Sequence, residues 1–307
     1  MVAGGAGFIG SHLCERLIAD GWEVVCLDNL LTGSARNISS LVKRKGFTFT
    51  QVDVGEPVRV DGAVDLVAHL ASPASPPDYL RMPLQTLRCG AEATWRLLDL
   101  AREKDARLLF TSTSEVYGDP EVHPQREDYW GNVNPVGPRS VYDEAKRFAE
   151  ALVMAYRRTH GTDTAIVRIF NTFGPRMRPD DGRAVPAFIG HALRDRPIVL
   201  YGDGSQTRSL CYVSDTVDGI IRMIGSHHPG PLNIGGTRET TVLELAKLIR
   251  QRCGSNSTLN FAPATQDDPR RRRPDISLAQ GLLGWEPATP LETGLDRTIS
   301  WFKTTSA

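Results

Sequence analysis

Short apolar runs alternate with amphipathic stretches through the first half of the chain. Segments 23–27, 47–52, 66–70, 107–111 and 164–169 are rich in Val, Leu, Phe and Thr, and several are apolar throughout. Strands covered on both faces have this texture, because a parallel sheet flanked by helices has no wet side. Between them, 10–20, 84–104 and 141–160 carry apolar residues at helical spacing. The alternation predicts an α/β fold built on a doubly wound parallel sheet. Past Asn171 the texture changes: Pro175, Pro179, Pro186, Pro197 and many glycines punctuate shorter elements. A smaller C-terminal substrate-binding domain is expected there. The expected boundaries are 1–174 for the first domain, with 209–235 returning to it, and 175–307 for the second.

Two of the helices are apolar on more than one stripe. Segment 84–104 has Leu84, Leu87, Ala91, Trp95, Leu97, Leu98 and Ala101, and 141–160 has Ala145, Phe148, Ala149, Leu152, Val153, Ala155 and Tyr156. A helix packed only on its own sheet needs one apolar face. The second face predicts a homodimer packed through these two helices, with deeper burial inside one chain as the alternative.

Composition changes this picture mainly by exclusion. Lys and Arg (36) balance Asp and Glu (36), and 40% apolar with 23% charged residues is ordinary globular composition. Disorder, which couples low hydrophobicity to high net charge, is excluded. Zero net charge argues against a nucleic-acid binder that works through a broad positive field. No apolar run approaches the ~20 residues that span a bilayer, and no basic-then-apolar leader opens the chain. A cytoplasmic protein without membrane partners is expected. The five cysteines form no CxxC pair and read as buried free thiols of a reducing compartment. The seven histidines show no ligand spacing, so no metal is expected.

Candidate chemistry begins at Gly4, Gly7 and Gly10, a GxxGxxG containing Phe8 and Ile9. Such glycines let backbone N–H groups approach a pyrophosphate at the start of the following helix. The next apolar strand ends at Asp28, where an acid accepts hydrogen bonds from an adenosine ribose and repels a 2′-phosphate. A Rossmann-type domain that binds NAD rather than NADP follows, with Asn29, Asp53 and Leu70 in the expected cofactor set. Met1, Val2 and Ala3 alone precede the first glycine, whereas strands average ~5–6 residues. The natural chain is therefore expected to begin a few residues upstream.

Downstream, 107–111 runs into Ser112-Thr113-Ser114-Glu115, and Tyr142 and Lys146 form a YxxxK. Residues four apart share a helix face, and a nearby ammonium favours a phenolate, lowering a pKa normally ~10. Such a Tyr takes a proton from a sugar hydroxyl while the carbon beneath it is oxidised by nicotinamide.

With these residues in order, the chain resembles the extended short-chain dehydrogenases/reductases of the NAD-dependent epimerase/dehydratase group. More narrowly, it is similar to the UDP-glucuronate decarboxylases, which form UDP-xylose. The resemblance spans nearly the whole chain and is carried by HLASPASPPDY (69–79), TSTSEVYGDPEVHPQREDYWGNVNP (111–135), GPRSVYDEAKR (137–147), RIFNTFGPRM (168–177), GDGSQTRS (202–209), DDPRRRRPDI (267–276) and LGWEP (283–287). Sugar-nucleotide 4,6-dehydratases look like Thr-Asp-Glu where this chain has Thr113-Ser114-Glu115, and simple 4-epimerases generally lack the Glu. Keeping Glu115 without the Asp suits proton exchange at C5 without loss of a hydroxyl, which fits decarboxylation.

The resemblance implies that Tyr142, with Lys146 and Thr113 or Ser114, takes the C4 hydroxyl proton, and that Glu115 and Arg272 serve the return of a proton to C5. It implies a UDP-sugar held by Asn171, Arg176, Arg183, Arg208 and Arg272, with Arg270, Arg271 and Arg273 facing solvent and Asp215 structural. The alternatives are an oxidative decarboxylase, a UDP-glucuronate 4-epimerase and a non-catalytic NAD-sensing regulator. Two departures stand out. Ser34-Ala35 replace the basic residues usual after Thr32-Gly33, and Gly90 stands where an Asn is usual, which is expected to loosen local packing.

Overall fold

A computed structural model describes residues 1–264 and 269–305. Seven strands form one parallel sheet: β1 (Val2–Ala3), β2 (Val24–Asp28), β3 (Phe47–Gln51), β4 (Leu66–His69), β5 (Arg107–Thr113), β6 (Thr164–Ile169) and β7 (Leu232–Ile234). Their order is β7-β6-β5-β4-β1-β2-β3. All of β4 and nearly all of β5 and β6 are buried, polar positions such as His69 and Thr111 included. Although β1 has two residues, it pairs on both sides, Val2 opposite Cys26 and Ala68. The ladder continues past it: Gly4 N–H donates to the Leu27 carbonyl at 2.8 Å, and Leu70 N–H to that of Ala3 at 2.8 Å. Strand order reverses beside β1, so a crevice opens at the carboxyl ends of β1 and β4, where doubly wound sheets bind ligands.

Element ends differ from the sequence expectation by a residue or two, except in one place. The expected helix over 84–104 is three pieces: an α-helix at Pro83–Arg88, a π turn at Cys89–Ala93 and an α-helix at Thr94–Glu103. π turns mark local constraints within helices, and here the constraint is contact with the long helix Ser140–His160. A Cβ built on Gly90 would lie 2.6 Å from Ala145 Cβ and 2.7 Å from the Ala145 carbonyl oxygen. Gly90 therefore does not loosen this packing, because the missing side chain is what permits the contact. Gly90→Ala should lower stability by about 1–3 kcal/mol by overpacking. Adding Ala145→Gly should restore part of the loss, since the carbonyl stays in place; urea unfolding of the two variants checks both.

Beyond β6 the smaller elements build the far wall of the crevice. Strand Thr207–Ser209 is flanked by Glu239–Thr241 and Arg271–Arg272, with Arg272 opposite Arg208. Asp215, early in the helix Val213–Ile224, accepts from Thr289 N–H at 2.8 Å and Thr289 Oγ1 at 2.9 Å, while its carbonyl accepts from buried Trp285 Nε1. Among the described residues no helix is long and apolar enough to cross a membrane.

Candidate active site

The helix Phe8–Ala19 starts at Gly7 with no side-chain cap and no acid in its first turn. Its first N–H groups are thus left for an anion. A Cβ on Gly10 would fall 2.1 Å from the Gly4 oxygen, and one on Gly4 would fall 2.6 Å from Ala71 N. The cradle exists because those atoms are absent. Gly4, Gly7 and Leu70 line both a large cavity and a cleft leading away from it to Asp28, Asn29 and Asp53. Phe8, Ile9 and Gly10 line the cavity side. Asp28 is 7% exposed and accepts from Ala6 N–H at 3.0 Å and Leu30 N–H at 2.8 Å. Burial raises its pKa against the pull of these bonds. Asn29 Nδ2 donates to Asp53 at 3.1 Å. The departure at Ser34-Ala35 still closes over the loop: Ser34 N–H and Asn37 Nδ2 each donate to the Ala6 carbonyl at 3.0 Å. An elongated cleft with a glycine floor and an acid at its far end fits a dinucleotide.

β5 delivers Thr113 to the crevice, and a 3₁₀ turn, Ser114–Tyr117, follows at once. Thr113 Oγ1 caps that turn, accepting from Glu115 N–H at 3.2 Å. Opposite, the helix Ser140–His160 presents Tyr142 and Lys146, both buried. Thr113 stands beside the Tyr142 phenol and favours its ionised form. Lys146 Nζ donates to the Thr111 carbonyl at 2.9 Å and lies 5.9 Å from the Tyr142 ring centroid. The expected lowering of the phenol by Lys146 is not what the structure gives. Burial raises the Tyr142 pKa, Thr113 opposes this, and Lys146 is itself pushed down to about 8 by burial. The ammonium is spent on a backbone carbonyl.

Glu115 lies between two guanidiniums. Arg272 pairs with both of its carboxylate oxygens, and Arg139 Nη2 donates to Oε2 at 2.9 Å. Burial works to raise the Glu115 pKa, but Arg272 and Arg139 together hold it well below the usual carboxylate range. Arg272 is 3% exposed. Arg270 and Arg271 face solvent as expected, whereas Arg273 is half-buried, its N–H held by Gln125. Asp267 and Asp268, which flank the Arg run, lie outside the described residues.

Asn171, Arg176, Arg183 and Arg208 line the same cavity of about 790 Å³ as Thr113, Ser114, Glu115, Tyr142, Lys146 and Arg272. Arg183 pairs with Asp181, Arg176 with Glu15 at 2.5 Å, and Arg208 Nη1 donates to the Thr207 and Pro269 carbonyls. Arg139 and Tyr79 are among the lining residues that escaped the sequence reading. Arg139 stands three positions before Tyr142, a spacing that puts both on one helix face and was open to inspection. Tyr79 stacks on Tyr142, ring centroids 5.2 Å apart and planes 6° from parallel. It sits in the quoted 69–79 stretch, but nothing in that stretch shows which ring it will meet.

A doubly wound sheet, a glycine-floored cleft and a Tyr–Lys pair at its mouth define an enzyme that does redox chemistry with a bound dinucleotide. Comparison with known proteins agrees. The model of the NAD dependent epimerase/dehydratase family matches residues 1–235, and the chain belongs to that family; its cofactor is NAD. UDP-glucuronic acid decarboxylase 1 of Danio rerio is 51% identical over 302 residues, covering 98% of this chain and 72% of the relative. UDP-glucuronic acid decarboxylase 3 of Arabidopsis thaliana is 49% identical over 296 residues, 96% and 86% of the two chains. Among solved structures, UDP-glucuronic acid 4-epimerase from Bacillus cereus, in complex with UDP-glucuronic acid and NAD, superposes with a TM-score of 0.88. It is 29% identical and covers 99% of this chain and 98% of its own.

Proposed function

We propose that the chain converts UDP-glucuronate to UDP-xylose and CO2, and that the residues gathered at the cavity carry the reaction. Likeness to decarboxylases at about 50% identity over nearly the full chain supports the activity. Glu115 held between two guanidiniums beside Tyr142 is the observation that supports this assignment of residues. Gly4, Gly7, Phe8, Ile9, Gly10 and Leu70 would hold the pyrophosphate and nicotinamide portions of NAD, and Asp28, Asn29 and Asp53 the adenosine. Bound NAD supplies a two-electron acceptor for C4 that is restored within each turnover. Tyr142, once ionised to the phenolate that Thr113 favours, takes the C4 hydroxyl proton. The resulting ketone stands β to the C5 carboxylate, so the C–C bond breaks as its electron pair moves onto the carbonyl oxygen. Tyr142 then returns its proton toward that oxygen.

Arg272 suits a sugar carboxylate through charge-assisted bonds. A carboxylate that draws Arg272 away leaves Glu115 with Arg139 alone, which lifts the Glu115 pKa toward the ordinary range. Glu115 is then competent to carry the proton that replaces CO2 at C5. Ser114, with no acidic group, cannot assist departure of a hydroxyl. Asn171, Arg176, Arg183 and Arg208 are assigned to the UDP end. We take 1–174 with 209–235 as the dinucleotide-binding unit and the remainder of 175–307 as the sugar-nucleotide unit.

Incubation with UDP-glucuronate, followed for CO2, NADH absorbance and product by NMR, tests the reading. UDP-xylose with CO2 and no net NADH is expected. UDP-galacturonate without CO2, stoichiometric NADH, or no reaction would each replace it with one alternative: epimerase, oxidative decarboxylase or regulator.

We also infer a homodimer. Leu84 (70% exposed), Trp95 (51%) and Phe148 (47%) stand on the helices expected to pair, and together they leave an apolar face that a second copy of this chain would cover. Trp95→Glu with Phe148→Glu should shift the mass measured by light scattering from dimer to monomer, and a monomeric unsubstituted protein would sink the idea.

A further inference from the structure

Two buried amides lie behind the site and take no part in the chemistry above. Gln125 and Asn233 are both 0% exposed. Gln125 grips the residue that follows Arg272 on both of its backbone groups: its Oε1 accepts from Arg273 N–H at 2.8 Å, and its own N–H donates to the Arg273 carbonyl at 2.9 Å. Its carbonyl accepts from Asp275 N–H at 2.8 Å. Its Nε2 donates to the Val122 carbonyl at 3.0 Å, so donor and acceptor sides of the amide are both used. Asn233, on β7, donates through Nδ2 to the carbonyls of Gln125 at 3.0 Å and Asp275 at 3.1 Å, and its Oδ1 accepts from the Tyr117 hydroxyl at 2.8 Å.

Tyr117 closes the short turn that carries Glu115. The two amides therefore join the turn bearing Glu115 to the strand bearing Arg272, independently of the ion pair between those side chains. On its other edge, Arg271–Arg272 is paired with Thr207–Ser209. Arg272 thus comes from a two-residue strand held between a sheet on one side and one glutamine on the other. An apolar side chain in place of Gln125 would leave Arg273 N–H without its acceptor, and a shift of ~1 Å in a positioning group can cost 10²-fold in rate.

We propose that Gln125, braced by Asn233, is the positioning residue that sets Arg272 where it meets Glu115 and the substrate carboxylate. This rests on the reading of Arg272 given under Proposed function. Its signature is selectivity: losing Gln125 should harm handling of a carboxylate-bearing sugar while leaving the UDP and NAD subsites intact.

The test compares Gln125→Met, Gln125→Glu, Arg272→Met and the Gln125→Met/Arg272→Met double variant. UDP and UDP-glucuronate affinities by calorimetry, NAD content, unfolding midpoint and turnover are measured for each. Gln125→Met should keep unsubstituted UDP affinity and NAD content while losing roughly 10–100-fold in kcat/KM for UDP-glucuronate. Gln125→Glu, which keeps an oxygen opposite Arg273 N–H but loses the donor to the Val122 carbonyl, should recover part of that loss and serves also if the Met variant folds poorly. The double variant should be no worse than Arg272→Met, because residues acting through one contact do not add. Undiminished turnover in Gln125→Met, a parallel loss of UDP affinity, or additive losses in the double variant would overturn the proposal while leaving the role of Arg272 standing. Normal UDP-glucuronate turnover in Arg272→Met would instead overturn that role, and this proposal with it.

Discussion

Tyr142→Phe is expected to abolish conversion of UDP-glucuronate, by roughly 10²–10⁴-fold, the range for losing a positioned general acid–base. The phenol is the proposed group for the C4 proton in both directions, so neither oxidation nor the final reduction proceeds without it. The ring stays useful: Phe keeps the stack on Tyr79 and most of the buried contacts. What is lost structurally is the polar contact with Thr113, which costs little. The variant should therefore fold, retain NAD and bind UDP while failing to turn over. Near-normal turnover would remove Tyr142 from the proposed chemistry.

The second large effect is on stability. Arg168, on β6, makes a two-pronged pair with Glu150, at 2.9 and 2.7 Å, and donates to the Tyr117 hydroxyl at 2.9 Å. Ser112 Oγ donates to the same carboxylate at 2.6 Å. Both charged side chains are nearly buried, at 11% and 14% exposure. Arg168→Met leaves Glu150 as a buried carboxylate with Ser112 as its remaining side-chain donor. Breaking such a pair from one side costs about 3–5 kcal/mol, whereas replacing both partners by apolar groups is often near neutral. Urea unfolding should show that loss for Arg168→Met and a partial return on adding Glu150→Leu. A change below about 1 kcal/mol in the single variant would show that water reaches Glu150.

Most of the sheet was legible in the sequence because both of its faces are covered: β4 and β5 read as apolar runs whatever their neighbours. The break at Cys89–Ala93 was not, since it depends on Ala145 of another helix meeting Gly90. The site divides the same way. Gly10, Asp28, Tyr142 and Lys146 stand out through local spacing, and all of them line the cleft and cavity. The direction of Lys146 toward Thr111, and the capture of Glu115 by Arg139, arise where β5 and the long helix meet. Spacing along the chain carries no information on where a side chain's hydrogen bonds end.

The pairing of Glu115 with Arg272 has a consequence for selectivity. Glu115 holds the guanidinium of Arg272, the group proposed above to receive the sugar carboxylate. On that proposal, a UDP-sugar whose C6 is a neutral alcohol offers Arg272 no carboxylate in exchange for Glu115. A uronate carries a carboxylate of the same kind as Glu115 and can compete for that guanidinium. On the proposed roles, discrimination against neutral sugars would be a displacement contest settled by charge more than by shape.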